Sequence, residues 1–325
     1  MKNTKRILVV GSGNVGSRHV QAIVKLNTRV KLDIIEPSES AQNLTKKRIT
    51  EIPHKKDDFD INFYHSLSEI EPESDLVIVA TTAVGRESII TELLNNGHRY
   101  FIIEKMVCQS KTEYDSLIAN FKKYNAKGWV NTARRYFKAY QTLYELFKNE
   151  KIVYLSVVAG NRGLGCNAIH YIDLFSWFAN SYQVKLNGDY LHDKLYDNKR
   201  GENLVEFSGT IVGSAVNESR FSVTFLPFES IPDVVSIVGE KYHIYINETH
   251  EKIQLIDGSV QTPLTYKNEY VSSITTEIIQ DIFSTDLCDL PSLIDSSFVH
   301  KELFRIFNHQ IKKISGVEPE LCPIT

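Results

Sequence analysis

The stretch Ile7-Leu8-Val9-Val10-Gly11-Ser12-Gly13-Asn14-Val15-Gly16 determines the fold of the first part of this chain. An apolar run leads directly into a Gly-x-Gly-x-x-Gly turn, and helical periodicity follows to about Leu26. The first glycine permits a tight turn, the second lets the backbone approach a diphosphate, and the third lets helix and strand pack closely. The stretch therefore predicts a βαβ unit that holds a dinucleotide over residues 11–16, with its phosphates at the helix N-terminus.

The second apolar run, Val30–Ile35, ends on Glu36, 20 residues after Gly16. A carboxylate at that point accepts hydrogen bonds from the adenosine ribose and repels a 2′-phosphate. Residues 37–40 include no Arg or Lys that would bind such a phosphate. The pattern therefore favours NAD over NADP as the cofactor. The basic run at 46–48 is expected to form a solvated helix face.

The composition is that of a globular protein with one or two domains. Of the 325 residues, 42% are hydrophobic and 24% are charged, which is ordinary for a globular domain. The net charge of −3 gives no basic footprint for nucleic acid, so no such partner is expected. No apolar run reaches the roughly 18 residues of a membrane span, and no export signal is recognisable, so we expect a cytoplasmic protein without a membrane partner.

The cysteines and histidines show no metal-binding spacing. Four cysteines are far apart in sequence and form no Cys-x-x-Cys pair, and the ten histidines form no His-Glu-x-x-His motif. We therefore predict no metal site and free thiols, as in a reducing compartment.

Two patterns of secondary structure follow one another along the chain. Up to about residue 127, apolar β-branched runs alternate with helical stretches, which predicts an α/β Rossmann domain with a doubly wound parallel sheet. From residue 128 to 325, a long strand and a helix precede successive strands between 204 and 264 and two final helices. This second region is predicted to be an α+β domain with a mostly antiparallel sheet.

Polar residues follow two of the predicted parallel strands. Thr81 and Thr82 come after one strand, and Glu104 and Lys105 come after the next. Ligands of open α/β sheets bind beyond the carboxyl ends of the strands, so all four are expected beside the cofactor. Lys105 is suited to bind a substrate hydroxyl and stabilise developing alkoxide charge. The alternative is a salt bridge with Glu104 or another carboxylate.

A second candidate group lies on the predicted helix at 165–179. Cys166, Asn167, His170 and Asp173 share one side of this helix at i, i+3 and i+4 spacings. His170 is suited to exchange a proton near neutral pH, and Asp173 could orient it or bind substrate. The alternative is a hydrogen-bonded core histidine.

The order and spacing of these motifs resemble those of the Gfo/Idh/MocA family, named for glucose–fructose oxidoreductase and inositol dehydrogenase. The resemblance implies NAD(P)-dependent dehydrogenase or reductase activity on the CH–OH group of a sugar or polyol, with Lys105 and His170 as the catalytic pair. It also implies an open sheet in the second domain that serves as the interface of a homodimer or homotetramer. The implied substrate contacts are Asn131, Arg134, Arg135, Tyr136, Asn167, His170 and Asp173.

Two residues depart from the family pattern. Met106 replaces the proline of Glu-Lys-Pro, and Cys166 stands where an Asp often precedes the histidine by four residues. These departures keep open a non-catalytic regulatory protein that binds NAD or a sugar. The resemblance itself also allows a lyase, epimerase or glycosidase that uses tightly bound NAD.

The nature of the substrate follows less directly from the chain. Arg134 and Arg135 are suited to bidentate contacts with a carboxylate or phosphate, the alternative being a solvated helix start or a salt bridge. The segment Trp129-Val130-Asn131 and Met106 are similar to those of a branch associated with bacterial surface-glycan sugars. We therefore expect an acidic or nucleotide-linked sugar.

Overall fold

The structure is a computed structural model that describes residues 4–53, 58–201 and 203–325. Contacts divide the chain into two compact units, which are described separately here. The first comprises the described residues of Met1–Cys108, with Thr112–Tyr136 and Glu269–Leu293. The second comprises Gln109–Lys111, Phe137–Asn268 and Ile294–Thr325. Among the described residues, no helix is both long enough and apolar enough to cross a membrane.

The first unit is built on a parallel sheet. Its strands are β1 (Lys5–Val10), β2 (Val30–Ile35), β3 (Phe59–Tyr64), β4 (Leu76–Val79), β5 (Tyr100–Ile103) and β6 (Lys127–Val130). They lie in the order β3-β2-β1-β4-β5-β6, with every neighbouring pair parallel. This order reverses between β1 and β4, and dinucleotides bind at that point in doubly wound sheets. The predicted Rossmann sheet is confirmed.

Helices connect these strands and begin where the sequence patterns indicated. They are α1 (Gly16–Ile23), α2 (Glu39–Thr50), α3 (Arg86–Asn95) and α4 (Lys111–Lys123). Strand β6 was not predicted, because its short sequence Lys-Gly-Trp-Val includes a glycine. A Cβ on Gly128 would lie 2.6 Å from the Phe121 ring, so this glycine is explained by close packing of α4.

The second unit holds a mixed sheet in the order β16-β15-β14-β13-β7-β12-β11-β8. Its strands are β7 (Ile152–Ala159), β8 (Val184–Leu191), β11 (Gly209–Ala215), β12 (Arg220–Phe225), β13 (Val234–Gly239), β14 (Tyr242–Asn247), β15 (Lys252–Asp257) and β16 (Val260–Thr265), with β9 (Tyr196–Asp197) and β10 (Val205–Glu206) forming a separate pair. Only β7 and β12 pair in parallel among these described strands. The predicted mostly antiparallel sheet is confirmed.

Helices of the second unit leave part of this sheet open. They are α5 (Lys138–Phe147), α6 (Leu164–Phe178) and, near the C-terminus, α8 (Leu293–Ser315). Phe175 of α6 packs on Phe221 of β12 with ring centroids 4.6 Å apart, which buries one face of the sheet. On the opposite face, Tyr154, Val158 and Tyr245 are exposed.

Within the region of successive strands predicted between 204 and 264, residues 204–212 do not form one continuous strand. The chain divides there into β10 and β11, because Gly209 has a φ of +111° and its Cβ position lies 2.5 Å from the carbonyl oxygen of Tyr190. Strand β16 lies at the end of this region. It contains Pro263, which argues against a central strand but is tolerated at the edge of a sheet.

Helix α7 (Val271–Thr285) returns the chain to the first unit. It packs on α1, where Thr276 Oγ1 donates to the Ala22 carbonyl at 2.8 Å and Lys25 Nζ donates to the Ser272 carbonyl at 2.6 Å. The first unit thus includes residues 128–136 and 269–293, which the sequence analysis assigned to the second domain.

Candidate functional site

In the glycine loop after β1, two glycines lie against neighbouring backbone atoms, and one faces open space. Gly11 has a φ of +84°, and a Cβ on Gly16 would lie only 1.9 Å from the Gly11 carbonyl oxygen. A Cβ on Gly13 would meet no atom within 4 Å among the described residues. Gly11 and Gly16 are therefore required by the packing of the chain. Gly13 instead leaves the open space that a diphosphate needs.

The N-terminus of α1 is available to an anion. Within the described chain, no side chain caps this helix and its first turn has no acidic residue. The first backbone N–H groups of a helix carry partial positive charge and attract phosphate. The buried Ser12 hydroxyl has no hydrogen-bond partner in the part of the chain described. These features fit a dinucleotide diphosphate over residues 11–16.

Glu36 lies directly beside this loop at the end of β2. One carboxylate oxygen accepts the backbone N–H of Ser12 at 2.8 Å, and the other accepts that of Ser38 at 3.0 Å. A carboxylate oxygen has a second lone pair, so both oxygens retain capacity for ribose hydroxyls. The position and chemistry of Glu36 fit the predicted ribose contact.

Arg48 does not lie on a solvated helix face, contrary to expectation, although Lys46 and Lys47 are exposed. Helix α2 covers the glycine loop, because Thr45 Oγ1 donates to the Ser12 carbonyl at 2.8 Å. Arg48 Nη1 donates to the Asn14 carbonyl at 2.7 Å. The loop is thereby held from the α2 side by a charged hydrogen bond.

A buried polar chain runs through the first unit to Glu104. His19 Nε2 donates to Glu104 Oε1 at 2.9 Å, and His19 Nδ1 shares a hydrogen bond with the Thr275 hydroxyl at 2.8 Å. Asn131 Nδ2 donates to the same Glu104 oxygen. Burial disfavours the charged carboxylate, but the His19 and Asn131 hydrogen bonds and the Lys105 charge lower the pKa of Glu104 to about 2. Glu104 is therefore ionised at neutral pH.

Arg86 ties the two loops that carry the predicted cofactor contacts. It is fully buried at the start of α3, and its guanidinium donates to the backbone carbonyls of Thr81, Glu104 and Met106. Met106 is thus held by its carbonyl at the position where the family pattern has proline. Lys105 lies between two anchored residues and is only 5% exposed. Arg86 was not predicted from the sequence, since an arginine in the first turn of a helix is usually solvated.

The segment after β6 divides between two environments. Asn131 reaches Glu104, as described, whereas the buried Arg135 and Tyr136 contact the chain at the end of α7. Tyr136 Oη donates to Asp281 at 2.7 Å, and Arg135 Nη1 donates to the Asp289 carbonyl at 3.4 Å. Burial raises the pKa of Tyr136, and Asp281 raises it further. Arg134 is partly exposed.

In the second unit, α6 carries the other predicted residues. Asn167 Nδ2 donates to the carbonyls of Arg162 and Gly163, which fixes the chain where it enters the helix. His170 follows one turn later and is half-buried, and Asp173 is buried a further turn along. His170 and Asp173 thus follow one another along the helix. The amide group of Asn167 is instead hydrogen-bonded to the backbone just before the helix.

Glu206, a buried carboxylate at the N-terminus of α6, was not predicted from the sequence. It accepts the backbone N–H of Gly165 at 2.7 Å and that of Cys166 at 3.2 Å. Burial raises the pKa of Glu206, although hydrogen bonds from the Cys166 thiol and the backbone oppose the shift. The sequence features that could have indicated this contact are Gly163 and Gly165. Cβ atoms at these two positions would lie 2.6 and 3.0 Å from the carboxylate oxygens of Glu206.

The fold and the loop define the first unit as a dinucleotide-binding Rossmann domain. Residues 5–132 match the GFO_IDH_MocA family model, described as the oxidoreductase family with an NAD-binding Rossmann fold. Over these residues the chain matches the Gfo/Idh/MocA family, as the resemblance stated from the motifs predicted. No curated protein sequence matches the chain.

Solved structures share the fold over nearly the whole chain. An oxidoreductase from Agrobacterium radiobacter in complex with NAD⁺, L-tartaric acid and magnesium is 11% identical, with a TM-score of 0.73 over 92% of this chain and 94% of that one. UDP-N-acetylglucosamine 3-dehydrogenase from Acidithiobacillus ferrooxidans is 13% identical, with a TM-score of 0.73 over 94% and 97%. The super-repressor mutant of Gal80p from Saccharomyces cerevisiae is 13% identical, with a TM-score of 0.73 over 96% and 97%. At these identities the likeness concerns the fold alone.

Two glycine substitutions should separate packing from cofactor binding. Gly16→Ala places a methyl group against the Gly11 carbonyl, so we expect strong destabilisation, of about 3 kcal/mol or more. Gly13→Ala enters open space, so thermal unfolding should change little while NADH binding weakens at least about tenfold, by about 1.4 kcal/mol. Denaturation curves and NADH fluorescence titrations test both. Equal stability of the two variants would contradict the packing argument.

The buried Glu104 carboxylate should make stability depend on acid pH. Its lowered pKa stabilises the folded chain above the unfolded value near 4.5, and this contribution disappears as pH falls towards about 2. The unfolding free energy of the wild type should therefore fall more steeply between pH 5 and 3 than that of Glu104→Gln. Urea denaturation at several pH values measures the slopes, with Glu92→Gln as an exposed control in the same unit. Parallel slopes for wild type and Glu104→Gln would refute this assignment.

Proposed function

We propose that this protein is an NAD-dependent dehydrogenase or reductase acting on a CH–OH group of a sugar derivative. Lys105 carries the proposal, because it is a buried lysine at the carboxyl end of β5, in a sheet whose glycine loop fits a diphosphate. Burying a lone ammonium is costly, and the adjacent ionised Glu104 offsets that cost. A buried charged side chain in a ligand-binding region is a candidate for the reactive site.

The chemistry assigns different roles to the two predicted catalytic residues. When bound, the nicotinamide accepts or supplies a hydride at the substrate carbon. Lys105 donates a hydrogen bond to the substrate oxygen and stabilises its developing alkoxide charge. His170 takes the hydroxyl proton during oxidation and returns it during reduction. Asp173, one turn further along α6, assists His170 or binds the substrate.

We propose NAD rather than NADP as the cofactor. The Glu36 carboxylate is the basis, since it lies beside the loop and would repel a 2′-phosphate. The Arg48 guanidinium is the nearest competing feature, because it approaches the loop at Asn14. Its contact there is to a backbone carbonyl, whereas Glu36 lies at the end of β2, where the ribose is recognised.

Two other functions use the same fold. In one, tightly bound NAD serves a lyase, epimerase or glycosidase cycle, and turnover then proceeds without net change in NADH. In the other, the protein is a regulator without catalysis, for which the fold shared with Gal80p and the Cys166 departure are the supporting observations. Steady NADH formation with a sugar substrate would argue against both.

We also propose a homodimer or homotetramer formed through the sheet of the second unit. Its outer face exposes Tyr154, Val158 and Tyr245, on strands β7 and β14. Exposed aromatic and aliphatic side chains grouped on one sheet face are typical of an interaction surface. A cytoplasmic location is supported by the cysteines, since all four are free thiols.

Substitution of His170 tests the catalytic proposal. His170→Ala should lower turnover by about 10²–10⁴-fold, since a general acid–base group contributes that much, while NADH affinity stays unchanged. His250→Ala, which removes an exposed histidine of the same unit, is the control. Initial rates and NADH titrations are the measurements. Turnover near the wild-type value would remove His170 from the catalytic role.

Substitution of Glu36 tests the cofactor proposal. Glu36→Ala should weaken NAD(H) by about 1.5–3 kcal/mol, the value of hydrogen bonds to a charged group, and should weaken NADP(H) much less. Glu39→Ala removes a nearby exposed carboxylate and should leave both affinities unchanged. Fluorescence titration with NADH and NADPH gives the ratio. An unchanged preference in Glu36→Ala would exclude the ribose contact.

A further inference from the structure

Asn131 holds a buried amide group at the carboxyl edge of the parallel sheet. The residue directly follows β6, is 4% exposed, and donates its backbone N–H to the carbonyl of Ile103, the last residue of β5, at 2.8 Å. Among the described residues, nothing donates a hydrogen bond to the buried Asn131 Oδ1 atom. A buried acceptor without a donor is rare in folded proteins, because burial removes the water that would otherwise satisfy it.

Glu104 fixes the direction in which the Asn131 amide points. Asn131 Nδ2 donates to Glu104 Oε1, and His19 Nε2 donates to the same oxygen at 2.9 Å. An ionised carboxylate only accepts hydrogen bonds, so the nitrogen of the amide must be turned towards it. The opposite orientation would place two acceptor oxygens against each other. Asn131 Oδ1 is therefore directed away from Glu104, where an N–H or O–H donor is needed to satisfy it.

The surroundings of Glu104 keep its carboxylate in the accepting form. Burial disfavours the charged form, but the hydrogen bonds from His19 and Asn131 and the charge of Lys105 lower the pKa of Glu104 to about 2. His19 is itself held by the hydroxyl of Thr275 at 2.8 Å, and both of these side chains are buried. A continuous set of contacts from α7 to the end of β6 thus sets the direction of one amide.

The strand order places Asn131 on the nicotinamide side of the predicted cofactor site. Glu36, the predicted ribose contact, follows β2 on one side of the switch point between β1 and β4. Thr81, Glu104 and Asn131 come after β4, β5 and β6 on the other side. A dinucleotide bound across the switch point has its adenosine on the first side and its nicotinamide on the second. The carboxamide of that ring carries an NH₂ group, which donates hydrogen bonds.

We propose that Asn131 binds the cofactor, with Asn131 Oδ1 accepting a hydrogen bond from the carboxamide NH₂ group of the nicotinamide. The proposal rests on the proposed NAD-dependent function and deepens it by naming a residue that recognises the nicotinamide itself. It reassigns Asn131, for which the family resemblance implied a substrate contact. Glu104 is a positioning residue here, since it acts on the cofactor by setting the direction of the Asn131 amide.

A cofactor analogue without the amide nitrogen tests the contact in the wild-type protein. Acetylpyridine adenine dinucleotide has a methyl ketone in place of the carboxamide, so it keeps the carbonyl oxygen but has no N–H to donate. The wild type should bind NAD⁺ about tenfold more tightly than the analogue, because the buried Asn131 oxygen stays unsatisfied when the analogue is bound. Competition titrations against NADH fluorescence give both dissociation constants. Equal affinities would overturn the proposal.

Substitution of Asn131 assigns this preference to one residue. In Asn131→Ala, NAD⁺ should bind about tenfold more weakly while the affinity for the analogue changes by less than about twofold, so the preference disappears. Asn62→Ala is the matched control and should keep the preference, since Asn62 Nδ2 also donates to a carboxylate of the first unit, Asp33 Oδ1, at 3.3 Å. A preference that persists in Asn131→Ala would reject the contact.

ADP-ribose, which has no nicotinamide, distinguishes the contact from a general disturbance of the site. It should bind the wild type and Asn131→Ala with equal affinity. A variant that loses as much affinity for ADP-ribose as for NAD⁺ would contradict a contact specific to the nicotinamide. The comparison of NAD⁺ with the analogue in the wild type needs no variant, so it decides the matter even where Asn131→Ala does not fold.

Glu104→Gln tests the positioning role. A glutamine amide can accept from or donate to Asn131, so the Asn131 amide is no longer held in one direction. The preference for NAD⁺ over the analogue should therefore fall from about tenfold to about twofold or less, although Asn131 itself is unchanged. Glu92→Gln, which alters an exposed carboxylate of the same unit, should keep the full preference. Full retention in Glu104→Gln would reject positioning by this carboxylate.

The same titrations separate this proposal from the proposed function. A wild type that binds NAD⁺ and the analogue with equal affinity retains a dinucleotide site and refutes only the Asn131 contact. A wild type that binds neither of them, and no NADH, refutes the NAD-dependent function and the contact together.

Discussion

The ionised carboxylate of Glu104 is the interaction on which the arrangement of the first unit depends. It receives hydrogen bonds from His19 in α1 and Asn131 after β6, and His19 in turn reaches Thr275 in α7. Three separate parts of the unit are thereby joined at the residue before Lys105. Because a buried carboxylate without partners would be strongly destabilising, these groups must assemble together. The same charge makes it feasible to bury the Lys105 ammonium.

Arg86 provides the complementary constraint on the backbone. Its guanidinium holds carbonyls on both sides of Lys105 and the carbonyl of Thr81 across the sheet edge. Met106 therefore has a fixed backbone without the ring of a proline. Where this chain departs from the Glu-Lys-Pro pattern, the backbone is held by a side chain located 20 residues earlier, and Lys105 lies between the two residues it holds.

The sequence predicted those parts of the site whose signals are local. The glycine loop, Glu36 and the Glu104-Lys105 pair follow apolar strands directly, so periodicity and spacing indicated them. His19, Arg86 and Glu206 were missed because their roles depend on contacts 85, 18 and 41 residues away in the chain. Short strands such as β6 were missed because packing, rather than propensity, stabilises them. Polar contacts between residues far apart in the chain are therefore the part of the site that a single sequence does not predict.

Helix α6 receives at its first turn a carboxylate from outside the helix. Cys166 removes an acid from the helix, and Glu206 brings one to the same turn from a different strand. A comparison of motif positions alone would indicate that this turn has no acid. In three dimensions the carboxylate is present, bound to the helix N-terminus and facing a polar cavity, so the substitution changes which element carries the acid.

The measurement that tests the account most directly is a titration of the purified wild-type protein with NADH and, separately, with NADPH, followed by cofactor fluorescence. The account predicts saturable binding of both at one site per chain, with NADH bound at least tenfold more tightly because Glu36 recognises the ribose and opposes the 2′-phosphate. Failure to bind either cofactor would contradict the central claim that the glycine loop is a dinucleotide site.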